Sequence, residues 1–291
     1  RYWVGGTGIW NTSSTTHWST TSGGSSGSSA PTSTDDVIID ANSGTGTITC
    51  TGALCANLTV TASQAVILGA SNSTLAVYGN ISFPSGGSFS ASTNTLTVTI
   101  SSSVASKTIT SNGKSFRYLT INDASGSCSL SDQLFVTTFT INQGTFNTNN
   151  FNITVINFIC QSNSPTTINL GSSTVTSNSP FSAASVVFNG TVSPTFNPGT
   201  SLFTFSCNTA TFNIGANNVS FYNVSFPSTI STATITVQNA SSTFNNLSLA
   251  GTIISNVSSI YTISGNLTVN GTFSVSGANA ANRVRLKSAV T

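Results

Sequence analysis

The chain has 291 residues, of which only 4% are charged, and a formal net charge of +2. Charge this sparse does not sustain disorder, and without clustered Lys and Arg to displace counterions from phosphates it gives no case for nucleic acid. All five acids are Asp, Glu is absent and His17 is the only histidine, so the composition points away from an enzyme and implies no cofactor.

No apolar run is long enough to cross a bilayer, so no membrane span is expected. Thr, Ser, Asn, Val, Ile and Phe dominate where helix formers would be needed, which predicts an all-β chain. The start at Arg1, without a Met or a signal peptide, is read as that of a mature or trimmed segment.

Residues 1–45 differ from the rest and are expected to form an N-terminal cap or attachment segment. They contain all three tryptophans, Trp3, Trp10 and Trp18, and a Gly/Ser stretch from Ser22 to Ser29. Two uses of the tryptophans fit: one aromatic cluster over the end of a core, with His17 as a hydrogen-bonding partner, or exposed rings for contact with a glycan. Near the end of this segment, Asp35, Asp36, Asp40 and Asn42 place oxygen ligands before Gly44 in a weak likeness to a calcium loop that lacks its closing Glu; a polar strand entry followed by a turn is the other reading.

From residue 46 to Thr291 the chain is repetitive. Apolar–polar–apolar triplets start at Leu58, Leu75, Leu96, Leu119, Phe139 and Ile153. Their recurrence at intervals of roughly 20 residues predicts a β-solenoid in which each coil lays its strand over the one before, with Gly and Asn clusters at the corners. Alternation alone also permits tandem antiparallel β-sandwich modules. Residues 171–198 are less regular and suggest a loop or an altered rung. The chain closes at Thr291 just after a strand-like run, so the natural polypeptide is expected to continue.

Five cysteines at irregular spacing fit no zinc site. Cys50 and Cys55 are near enough in sequence for a disulfide, whereas Cys128, Cys160 and Cys207 read as core residues. Asp123 and Asp132 are either corner residues or two carboxyl groups facing one groove, the arrangement glycoside cleavage needs. Arg283, Arg285 and Lys287 alternate with Val284 and Leu286 and so share one strand face, either a solvated edge or a contact for an acidic glycan or a neighbouring subunit. Thirteen Asn-x-Ser/Thr sequons include Asn57, Asn80, Asn152, Asn223, Asn246 and Asn266, which are glycosylation acceptors where the source has the machinery.

The opening run Trp3-Val4-Gly5-Gly6-Thr7-Gly8-Ile9-Trp10, with Trp18-Ser19, Pro31-Thr32-Ser33 and Asp35-Asp36-Val37, resembles the start of repetitive Ser/Thr/Asn-rich β-solenoid surface proteins of tailed bacteriophages and environmental bacteria. Phrases such as Gly265-Asn266-Leu267-Thr268-Val269-Asn270-Gly271-Thr272-Phe273 are similar to the same group. That resemblance implies a fibre, adhesin or decoration protein at a cell or virion surface, partnered by copies of itself, by other virion or surface proteins or by cell-surface glycans. It carries no catalytic motif. A polysaccharide-degrading β-helix enzyme is the third reading.

Overall fold

A computed structural model describes residues 1–62, 66–69, 72–87, 90–91, 96–102, 106–238, 241–251, 259–277 and 283–288, with the side chains of 180–182 left out. The expected chain end at Thr291 lies outside the described residues. The fold is a β-solenoid of stacked parallel coils, about ten turns in all, divided into two compact units, Arg1–Thr137 and Thr138–Thr291.

In the first unit the coil has three sides, and the register shows which residues stack. One side takes Val37–Ile39, Leu58–Val60, Ile81–Ser82, Ser106–Thr110 and the end of Ser115–Leu130, and it aligns Val37, Leu58, Ile81, Ile109 and Leu130 in one inward column. A second takes Ala53–Cys55, Thr74–Val77, Thr97–Ser101 and the start of Ser115–Leu130, stacking Ala53, Leu75, Val98 and Leu119. The third takes Gly8–Trp10, Gly46–Cys50 and Val66–Leu68. Period-2 alternation fixes all three, because a one-residue slip would turn every apolar side chain outward.

Parallel pairing rules out tandem antiparallel sandwiches. The only antiparallel pair among the described strands is Tyr2–Trp3 with Trp18–Ser19. The true repeat also differs from the triplet spacing, because the length of a coil is set by its in-register partners. Gly46↔Val66 and Val37↔Leu58 close short coils, and Val175↔Phe203 closes a longer one. Leu58 stacks on Ile81 whereas Leu75 stacks on Val98, so the step from Leu58 to Leu75 turns a corner within a coil. Residues 1–45 supply strands to these same stacks: Tyr2 pairs with Ile38, and Gly8–Trp10 lies parallel to Gly46–Cys50.

The second unit has one side formed by residues 144–147, Thr166–Asn169 and Thr195–Asn197, and its other two sides continue beyond it. Ile153, Val175, Phe203, Val224, Leu247 and Phe273 form one column, and Phe158, Val186, Phe212, Ile235 and Ile263 another. The irregular stretch 171–198 is an altered rung. Thr174–Phe188 is continuous strand, but the partner of Val155 is Ser177 while that of Asn157 is Ser185, so extra residues bulge out between two retained registers.

Rings fill the widened interior. Phe221 is buried against Phe188, Phe196, Phe203 and Phe212 at centroid distances of 5.0–5.4 Å and is stacked on Phe244 at 5.7 Å. At a corner, the amides of Asn147, Asn169 and Asn197 form a ladder: Asn169 Nδ2 donates to Asn147 Oδ1 at 2.5 Å, and Asn197 Nδ2 donates to Asn169 Oδ1 at 2.7 Å.

Removing the hub ring in Phe221→Ala is expected to lower stability by about 3–5 kcal/mol in urea denaturation. Asn169→Ala, which deprives both neighbours in the ladder, is expected to cost about 1–2 kcal/mol in the same assay.

Candidate functional site

The three tryptophans form the aromatic cluster. Trp18 meets Trp3 at 5.0 Å and Trp10 at 5.2 Å, both edge-on, and His17 stacks flat on Trp3 at 4.7 Å while its Nδ1 lies 2.9 Å from the Val4 carbonyl. Gly8 is required there, since a Cβ would stand 2.3 Å from His17 Nε2. All three indoles are 0–1% exposed. No face is left for a sugar, so Trp3, Trp10 and Trp18 are corrected from candidate glycan contacts to core.

The acids near the start are tied into turns and the N-terminal segment. Asp35 accepts from the Thr32 hydroxyl and amide, which hold its carboxyl below the usual range, and it faces Arg1 at 3.4 Å. Asp36 accepts from Asn57 Nδ2 at 2.6 Å. Asp40 caps the short 3-10 turn Ala41–Ser43 by accepting from the Asn42 amide, in a reciprocal capping box with Ser43. The calcium candidates are therefore already engaged, Asp35 and Asp40 in turns, Asp36 with Asn57 and Asn42 with the Ser22 hydroxyl, and among the described residues no three His, Cys, Asp or Glu are grouped to hold a metal.

Asp123 and Asp132 do not share a groove. Asp132 fixes a turn of the coil beneath by accepting from Ser111 N at 2.8 Å and from Asn112 N. Asp123 departs from both sequence expectations: it lies inside the strand Ser115–Leu130 and points inward, 0% exposed. There Lys107 Nζ meets its Oδ2 at 2.5 Å, and the lysine is itself only 1% exposed. Composition and spacing do not single out Lys107 as an interior residue, although its phase does. It is in phase with inward Ile109, as Asp123 is in phase with inward Ile121.

Cys50 and Cys55 are free and buried, so the disulfide is not formed; each points inward in its own stack, Cys50 under Trp10 and Cys55 against Val77. All five thiols are buried. Burial pushes Cys50, Cys128 and Cys160 up to about 12, with Lys107 partly opposing the rise at Cys128.

Most of the chosen sequon asparagines belong to the wall. Asn57 binds Asp36 and accepts from the Asn80 amide, Asn80 accepts from Thr108, Asn152 accepts from Thr174, and Asn246 Nδ2 donates to Asn223 Oδ1 at 2.8 Å. Asn266 is exposed.

Two open surfaces among the described residues of the second unit bear on binding and assembly. The first is a charge-free groove of about 450 Å³ along one side, edged by Asn223, Asn246, Ser225, Ser248 and Ser274. The second is the coil formed by Phe273–Ser276 and Val284–Ser288. Its inward-phase Phe273, Val275 and Leu286 pair with buried Leu247, Leu249 and Tyr261, yet they are 44–48% exposed. Arg285 and Lys287 stand on the opposite face of that strand from Leu286, as the alternation requires.

Among the described residues no helix is long and apolar enough to cross a membrane. No protein-family model matches the chain, no curated protein is significantly similar to it, and no solved structure matches it significantly.

The thiols give a pH signature. Below pH 9.0, the ordinary thiol value, folded and unfolded chains both hold these protons and the stability is complete; from there towards about 12 only the unfolded chain releases them. The urea midpoint is expected to fall as pH rises through this window. A thiol reagent at neutral pH is expected to find no reactive cysteine in the native protein and five in urea.

Proposed function

We propose that this protein is a non-enzymatic structural component of an extracellular or virion-surface fibre, filament or capsid decoration, and that it associates with copies of itself. The observation that carries this reading is the stack of parallel, in-register coils cross-braced by side-chain hydrogen bonds such as Asn169 Nδ2 to Asn147 Oδ1 and Asn246 Nδ2 to Asn223 Oδ1, a repetitive scaffold of the kind a surface fibre is built from. The half-exposed apolar side chains of Phe273, Val275 and Leu286 are the patch through which copies would associate.

The wall favours an exterior setting. It is polar but nearly uncharged, and it is braced by Asn, Ser and Thr hydrogen bonds between coils. The buried, protonated thiols suit oxidising surroundings, because a thiol must ionise and be reached before it is cross-linked.

A second reading, a carbohydrate- or receptor-binding adhesin, is favoured by the groove beside Asn223 and Asn246, whose amides and neighbouring serines suit a neutral hydroxylated ligand. Nothing in the placement of Asp123 and Asp132 favours cleavage of a polysaccharide, because one is interior and the other holds a turn.

Sedimentation and negative-stain microscopy of the purified chain test the first reading. Oligomers or filaments are expected, and Phe273→Asp with Leu286→Asp is expected to shift them to monomers with an unchanged β circular dichroism spectrum. A wild type that stays monomeric across micromolar concentrations, or a double variant that assembles as well as wild type, overturns it. Glycan binding that a groove-filling Ser248→Trp abolishes would move the assignment to the adhesin.

A further inference from the structure

We propose that Lys107 and Asp123 are the site of an intramolecular isopeptide bond, an amide between Lys107 Nζ and Asp123 Cγ that forms with loss of one water and fastens two successive coils together. The proposal rests on the geometry of this pair and is independent of the assembly reading above.

The two groups have the complementary chemistry of an amide, an amine and a carboxyl, and nothing needs to move far for them to meet. Nζ lies 2.5 Å from Oδ2, and one further C–O bond of about 1.2 Å bounds the Nζ–Cγ distance at about 3.7 Å. This is close to the ~3–3.5 Å separation of a near-attack pair. Both residues are held by strands that are hydrogen-bonded to each other, with Ser106–Thr110 in register on Ser115–Leu130 and Lys107 directly paired with Cys128. That removes the orientational entropy which makes the same condensation slow between free molecules.

Burial supplies the rest. An ammonium and a carboxylate that are 1% and 0% exposed both lose their hydration, which raises the cost of the charged pair relative to its neutral form. The direct hydrogen bond is the path by which the ammonium proton passes to the carboxylate, leaving a neutral amine beside a carboxylic acid. The nitrogen lone pair then attacks Cγ. The tetrahedral centre collapses with departure of its hydroxyl, which takes one of the two remaining amine protons and leaves as water, while the other proton stays on the amide nitrogen. No electrons are exchanged, and no co-reactant is needed. A dry interior also disfavours the reverse hydrolysis. Cys128, the register neighbour, does not compete for the carboxyl carbon, because burial keeps its thiol protonated.

Intact-mass spectrometry of the full wild-type chain under denaturing conditions is the test. The expected mass is one water, about 18 Da, below that of the sequence. Trypsin is expected to skip Lys107, and tandem spectra are expected to join the peptide bearing Lys107 to the one bearing Asp123. Lys107→Met and Asp123→Ala are each expected to restore the full sequence mass. A wild type at full mass, cleavage after Lys107, or a loss of one water that persists in Lys107→Met overturns the assignment. The wild-type readout does not depend on either variant folding.

Discussion

Parallel, in-register stacking of one coil on the next governs the rest of this structure. Backbone hydrogen bonds hold neighbouring strands about 4.8 Å apart, so outside the bulge in Thr174–Phe188 a strand side chain sits over a counterpart at the same position of the adjacent coil. A residue is then judged by its column. Val37, Leu58, Ile81, Ile109 and Leu130 are mutually compatible because each fills the same space one layer further along. The asparagine ladder of Asn147, Asn169 and Asn197 obeys the same rule with amides, where a donor and an acceptor on every residue let the chain of hydrogen bonds continue.

The stacking rule also sets what is costly. In the second unit the coil that runs from Val175 to Phe203 is longer than the one from Ile153 to Val175, and phenylalanines close the added space around Phe221. In the first unit the exception is polar: Lys107 and Asp123 occupy inward positions that their neighbours give to Ile109 and Ile121. Replacing such a pair with apolar residues is often neutral or stabilising, so the retention of a charged pair here asks for a reason beyond packing. A covalent tie between coils is one. Asp35, Asp40 and Asp132 are placed conventionally, accepting from turn amides, and Asp36 braces Asn57 of the next coil.

Much of the core was legible as a two-residue period. The triplets at Leu58, Leu75, Leu119 and Ile153 are all strands, and their first and third residues are buried. Their spacing was a poorer guide, because a three-sided coil carries several similar triplets per turn. The short steps, from Leu58 to Leu75 and from Phe139 to Ile153, resemble a coil length in the sequence, and only pairing distinguishes the next corner from the next coil. The tryptophans show a different limit. Composition put them together, but sequence could not say whether their faces met water, since that depends on Trp18 folding back antiparallel onto Trp3. Proximity likewise misled for Cys50 and Cys55, which turn inward in separate columns.

By itself the sequence determined the all-β class, the alternation that assigns an inside and an outside, and the shortage of acids and histidine. Each is a local or countable property of the chain. The tertiary structure decided the length of each coil, the parallel sense of pairing and the meeting of Lys107 with Asp123. The physical reason is that alternation gives each residue a face but not a partner. Lys107 shares its phase with Ile109 and Asp123 with Ile121, but Asp123 reads from sequence as a corner or groove residue, and only the stacking of one coil on the next brought the amine to the carboxyl.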